Sequence, residues 1–67
     1  MYSERVILPG GVYYELHFRS PEDYRLACLR DGRVLVAYAP GDAYEFKSVE
    51  KLRYDFERDA ENALRQA

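Results

Sequence analysis

The sequence predicts an α+β domain in which an antiparallel β-sheet of four strands, or five with a short extra strand, precedes one C-terminal α-helix packed on one face. Residues 12–19 alternate apolar and polar side chains, which indicates a strand with one buried face. Asp31-Gly32 separates two apolar segments, which is typical of a hairpin. Residues 49–65 repeat apolar side chains at helical spacing. At 67 residues, the chain is one domain covering positions 1–67.

The first two strands are bounded by turn residues. Tyr2 to Leu8 is predicted as a strand that ends at Pro9-Gly10-Gly11, and Val12 to Arg19 follows it. The short break makes the two an antiparallel hairpin. Residues 20–23 are predicted as a loop or a short helical turn.

The second hairpin is predicted from Tyr24 to Ala39, with the turn at Asp31-Gly32. A two-residue loop places Leu29 opposite Val34 and Cys28 opposite Leu35, whereas a three-residue loop with a bulge shifts this register by one. In the first register both faces of the hairpin are apolar, with Cys28, Leu26 and Leu35 on one face and Leu29, Val34 and Val36 on the other. Either these are central strands covered on both sides, or the second face is an interface.

Residues 44–46 fit a short fifth strand or a loop, and Ser48 is the predicted N-cap of the helix. The predicted apolar stripe of the helix consists of Val49, Leu52, Phe56, Ala60, Ala63 and Leu64. A helix on one face of an antiparallel sheet buries that stripe.

Composition excludes several classes of function. Twelve acidic residues against ten basic ones give a net charge of -2, which argues against direct nucleic-acid binding. Cys28 is the single cysteine, so an intrachain disulfide and a Cys-rich metal site are excluded. We expect no metal and no cofactor. The sequence shows neither a membrane span nor a signal peptide, so we expect a cytoplasmic protein with no membrane partner.

The predicted partner-binding surface is acidic and rich in tyrosine. Tyr54 lies opposite the apolar stripe of the helix, with three glutamates near it, and the preceding loop adds further acids and a tyrosine. The predicted binding residues are Asp42, Tyr44, Glu45, Glu50, Tyr54, Glu57 and Glu61. Such a surface suits a protein partner with a basic, nucleic-acid-binding groove. An ordinary solvated helix face gives the same pattern.

Glu15, His17 and Arg19 are the one set of residues that fits a catalytic site. On one face of a strand, a carboxylate, an imidazole and a guanidinium are the groups an RNA-cleaving site uses. Polar residues such as these are common on the solvated face of a strand, and a chain with net negative charge binds the phosphates of RNA poorly. We therefore predict that the protein is not an enzyme, with a small ribonuclease as an alternative.

The acidic residues of the helix and of the loop before it give the chain a resemblance to a known group of proteins. These residues are Glu50, Asp55, Glu57, Asp59 and Glu61, with Asp42 and Glu45. In size and composition the chain resembles small phage-encoded anti-defence proteins, the anti-CRISPR group in particular. The resemblance implies an inhibitor without cofactors that occupies a protein surface, in some cases by imitating DNA. The alternative is a homodimeric structural or regulatory protein joined through the hairpin from Tyr24 to Ala39.

Overall fold

The computed structural model describes residues 2–41 and 44–66. Its elements, in chain order, are β1 (Tyr2–Leu8), β2 (Val12–Ser20), β3 (Asp23–Arg30), β4 (Arg33–Tyr38) and α1 (Val49–Gln66). The predicted α+β fold is confirmed, with four antiparallel strands followed by one helix. Residues 44–46 form a loop rather than a fifth strand.

The sheet is a simple meander in which each strand pairs with the next, in the order β1-β2-β3-β4. The β3–β4 turn places Asp31 at φ 52° and Gly32 at φ 82°, the left-handed pair that a two-residue hairpin requires. The Asp31 amide donates to the Gly11 carbonyl at 3.0 Å, which ties this turn to the β1–β2 turn. Gly11 is itself at φ 76°, and a Cβ there would lie 2.3 Å from the Asp31 carboxylate.

The register of the second hairpin corrects part of the prediction. Leu29 pairs with Val34 across a two-residue loop, as predicted, but Cys28 pairs with Val36 rather than with Leu35. Leu35 is the extra residue of a β-bulge, so the register shift occurs inside β4 and not in the turn. Both Leu35 and Val36 consequently pack towards the core, and Val36 does not lie on the opposite face as predicted.

The core lies between α1 and one face of the sheet. Its buried members are Val12, Tyr14, Leu16, Tyr24, Leu26, Cys28, Leu52, Phe56 and Ala60. Phe56 is fully buried, and its ring packs edge-on against Tyr14 at 5.4 Å and Tyr38 at 5.8 Å. The alternation predicted for β2 is confirmed, since Val12, Tyr14 and Leu16 are buried there.

The helix begins as predicted, with the Lys51 amide donating to the Ser48 side-chain oxygen at 3.1 Å. Its apolar stripe is confirmed at Leu52, Phe56 and Ala60, whereas Val49 is 41% exposed. Near its N-terminal end, Arg53 donates to the Glu4 carboxylate at 2.9 Å and so links α1 to β1.

In the described part of the chain, no helix has both the length and the apolar character needed to cross a membrane.

Candidate binding surfaces

The first candidate surface is a line of side chains on α1, which we call the helix stripe: Glu50, Tyr54, Glu57 and Glu61. Spacings of four, three and four residues place these side chains on one side of an α-helix. Tyr54 is 64% exposed, which is unusual for so large an aromatic side chain in a small protein. Glu50 and Glu61 are also exposed, while Glu57 is half-buried. The structure therefore brings these four predicted binding residues together.

The charge of the helix stripe is only partly neutralised by its neighbours. Glu57 lies 3.7 Å from Arg53, close enough for an ion pair. Among the described residues, Glu50 and Glu61 form no ion pair. Tyr54 thus has a free carboxylate on each side of it along the helix.

The other predicted binding residues do not join the helix stripe. Tyr44 is half-buried, and its ring packs against Tyr38 at 5.1 Å. Glu45 is exposed and accepts a hydrogen bond from the Lys47 ammonium at 2.9 Å. Asp42 lies outside the described residues.

Asp55, one of the acids that carried the resemblance, is buried, with only 4% of its surface exposed. Its carboxylate accepts hydrogen bonds from Tyr44 at 2.8 Å and from Lys51 at 3.1 Å, and Arg58 lies 3.7 Å away. The Tyr44 hydrogen bond, followed by the Lys51 interaction, lowers the pKa of Asp55. Burial, followed by the hydrogen bond to Asp55, raises the pKa of Tyr44 to about 12. Asp55 and Tyr44 therefore bond to each other within the fold, apart from the helix stripe.

Asp59 is likewise committed to contacts within the protein. The Tyr38 hydroxyl donates to the Asp59 carboxylate and also approaches the Asp55 carbonyl at 3.4 Å. Burial, followed by the bond to Asp59, raises the pKa of Tyr38 above its usual value. Arg58 adds an ion pair to Asp59 at 3.6 Å. Two of the five helix acids behind the resemblance, Asp55 and Asp59, thus accept hydrogen bonds from tyrosines of the same chain.

The second candidate surface is the face of the sheet that α1 does not cover, which we call the open face. The strand register places its residues in three rows across the sheet. One row is Ile7, Tyr13, Leu29 and Val34; the next is Arg5, Glu15, Ala27 and Ala37; the third is Ser3, His17 and Arg25. The open face therefore changes from apolar to polar along the strands.

The first of these rows, which we call the apolar row, is exposed at both of its ends. Ile7 on β1 is 71% exposed and Val34 on β4 is 48% exposed. Tyr13 and Leu29 lie between them and are half-buried. The Arg5 guanidinium lies 5.5 Å from the centre of the Tyr13 ring, within cation–π range. An apolar strip across all four strands is the feature expected of an interface rather than of a solvated face.

A depression of about 580 Å³ lies beside the apolar row. Ala27 contributes to its lining, and polar groups around it come from Ser3, Arg5, Glu15, His17 and Arg25. Arg5 lies 3.5 Å from Glu15. Because the sheet register gives Glu15 a short side chain as its neighbour on β3, the surface dips at Ala27.

The structure separates the three residues of the ribonuclease alternative. Glu15 and His17 both line the depression, but Arg19 does not and instead lies 3.9 Å from Asp23. Arg25 takes a position beside His17 through the β2–β3 register. Sequence reasoning missed Arg25, because simple pairing across the 20–23 turn places Leu26 opposite His17, and the β-bulge between Phe18 and Ser20 shifts that register by one.

In residues 2–41 and 44–66, no three His, Cys, Asp or Glu side chains are grouped to hold a metal ion. Cys28 is fully buried, and burial raises the pKa of its thiol. A thiol in that state is a core side chain with little nucleophilic character.

Comparisons of this chain with protein-family models, with curated proteins and with solved structures found no match.

Proposed function

We propose that this protein is a non-enzymatic binding module that docks its helix stripe onto a basic, nucleic-acid-binding surface of another protein. On this proposal it is a phage-type inhibitor of the anti-CRISPR kind, which blocks access of DNA to its target. The observation that carries the proposal is Tyr54, 64% exposed between the unpaired carboxylates of Glu50 and Glu61.

The helix stripe combines a tyrosine anchor with the long-range attraction of its carboxylates. Tyrosine buries a large apolar ring at low entropic cost and keeps a hydroxyl for hydrogen bonding, so it is enriched at interfaces. Carboxylates around it raise the rate of encounter with a cationic groove. This attraction weakens as salt is added, because the Debye length falls from about 10 Å at 0.1 M to about 3 Å at 1 M.

The proposed binding surface is the narrow helix stripe and not an acidic surface over the whole of α1. Asp55 is buried and accepts a hydrogen bond from Tyr44, so it adds little charge outwards, whereas the half-exposed Asp59 accepts from Tyr38 and lies 3.6 Å from Arg58. Lys51, Arg58 and Arg65 are exposed on the same helix. A groove that recognises the stripe must therefore fit Tyr54 closely as well as attract its neighbours.

Binding to host lysate tests the proposal, with retained proteins identified by mass spectrometry and then retested in purified form. We expect a nucleic-acid-binding protein to be retained at low salt, released as salt rises, and displaced by duplex DNA. Tyr54→Ala and the double variant Glu50→Lys/Glu61→Lys should not retain that nucleic-acid-binding protein.

Glu22→Lys is the matched control, because Glu22 is an exposed acid in the β2–β3 turn and is not a member of the helix stripe. It should bind like the unchanged protein. Retention of no nucleic-acid-binding protein at low salt, or equal retention by the stripe variants, would overturn the proposal.

The non-enzymatic part of the proposal has its own test. We expect RNA incubated with the purified protein to remain intact. RNA cleavage that disappears in both His17→Ala and Glu15→Gln would replace the binding proposal with the ribonuclease alternative.

A further inference from the structure

The open face lacks a covering layer in the monomer, although an apolar row crosses it from Ile7 to Val34. We propose that a second copy of this chain covers it. The two sheets pack face to face about a twofold axis that runs parallel to the strands, between β2 and β3. The result is a four-layer dimer with a helix on each outer side.

The distribution of side-chain size supports this arrangement. A twofold axis along the strands keeps each row at its own level and places β1 over β4 of the second copy, and β2 over β3. Ile7 then meets Val34 of the other copy, and Tyr13 meets Leu29. In the next row, the long side chains of Arg5 and Glu15 lie over Ala37 and Ala27 of the other copy.

That pairing of large with small side chains is what two stacked sheets need, since their separation is only about 10 Å. Glu15 of the second copy enters the depression, whose lining includes Ala27, itself only 3% exposed, and the reverse contact follows from symmetry. A twofold axis perpendicular to the strands would instead place the apolar row against polar residues unless the sheets overlapped only at one end.

The charges on the open face support the same axis. Arg25 forms no ion pair among the described residues. It lies two residues from Ala27 on β3, about 7 Å along the strand. Glu15 of a second copy, standing over Ala27, is therefore within reach of the Arg25 guanidinium. Symmetry creates this contact twice, so Arg25 gains a partner across the interface and Glu15, already 3.5 Å from Arg5 within its own chain, gains a second one.

The area available is sufficient for a dimer of modest affinity. Four strands spaced about 4.8 Å apart, each with about seven residues at 3.3 Å, give the open face a plan area of about 440 Å². That is about a tenth of the 4618 Å² accessible surface of the chain, and two copies together contribute about 880 Å², below the total of about 1,200–2,000 Å² that standard interfaces bury. We expect the dimer to be populated at tens of micromolar and to dissociate on dilution.

The dimer leaves both helix stripes on the outside, so this inference does not depend on the function proposed above. Each copy could still present Tyr54 to a partner.

Sedimentation equilibrium tests the interface. The unchanged protein should have twice the 7.9 kDa mass of the chain at about 100 μM. Ile7→Lys should be monomeric there with an unchanged circular dichroism spectrum, because Ile7 is 71% exposed in the monomer. A monomeric unchanged protein, or a dimer that Ile7→Lys does not weaken, overturns the inference.

Charge reversal tests the axis itself. Glu15→Arg and Arg25→Glu each place like charges opposite one another twice, and each should weaken the dimer at least tenfold. An equimolar mixture of the two variants restores both unlike pairs and should dimerise again. Glu22→Arg, with the same change of charge away from the open face, is the control and should remain dimeric.

Recovery in the mixture also excludes a trivial loss of folding in either variant. If the mixture remains as monomeric as its components while Glu22→Arg dimerises, the proposed axis is wrong.

Discussion

The two faces of this sheet come from the same four strands, yet different forces shape them. The covered face has a buried centre on β2 and β3, closed by Phe56 of α1, with half-buried side chains of β1 and β4 on either side. The open face has one apolar row and two polar ones, and Ile7 in the apolar row is 71% exposed. Alternation along β2 produces both patterns at once, because neighbouring side chains point to opposite faces.

The two faces differ in what they can contribute to a small domain. A chain of this length buries only about 60% of its unfolded surface, so one well-packed face must supply most of the folding free energy. The other face is then free to carry side chains chosen for an interface. We therefore expect substitutions on the covered face to change unfolding, and substitutions on the open face to change association.

The largest effect should come from Phe56→Ala on the covered face. Phe56 is 0% exposed and packs against two aromatic rings, so its removal leaves a cavity and should cost about 3–5 kcal/mol of unfolding free energy. In a domain this small, that loss leaves much of the protein unfolded at 25 °C. Urea unfolding followed by circular dichroism measures it. A cost below about 1 kcal/mol would show that the covered face does not dominate stability.

Much of the covered face could be predicted from sequence because periodicity encodes it. The alternation around Tyr14, the turn at Asp31-Gly32 and the spacing of Leu52 and Phe56 are all local patterns. The bulge at Leu35 is different, since no residue type marks it and packing against α1 selects it. Its consequence is large, because it turns Val36 inwards and leaves only Val34 and Ala37 of β4 on the open face.

The candidate surfaces could be predicted less completely. The helix stripe follows from helical spacing alone, and Tyr54 is exposed as expected. The burial of Asp55 does not follow from spacing, because it depends on Tyr44, a residue from a loop eleven positions away. Likewise, the depression with His17 and Arg25 needs the pairing of two strands before it exists.

An intermediate effect, dependent on pH, should come from Asp55. Its pKa is lowered in the folded protein by Tyr44 and Lys51, so the folded state binds the proton less readily than the unfolded state does. The stabilisation is therefore complete above the unfolded pKa of about 3.9 and is lost as the pH falls through the lower folded pKa.

Urea unfolding of the unchanged protein and Asp55→Asn at pH 7, 5 and 3 measures this contribution. Asp55→Asn should be less stable at pH 7 and 5, by less than Phe56→Ala, and the difference should shrink at pH 3. A difference that stays constant between pH 7 and pH 3 would mean that the carboxylate charge contributes nothing to the covered face.

The smallest effect on the folded monomer should come from Ile7→Ala, which probes the open face. With 71% of Ile7 exposed, the substitution removes little buried surface, and we expect a change within about 0.5 kcal/mol for unfolding at low micromolar concentration. At about 100 μM the unchanged protein gains stability from association, whereas Ile7→Ala gains less, so the two unfolding curves should separate as concentration rises. Leu26→Ala, on the covered face of β3 at 3% exposure, is the matched contrast and should cost about 2–5 kcal/mol at both concentrations. If Ile7→Ala destabilised the protein equally at both concentrations, the open face would be part of the folding core and not a separate interface.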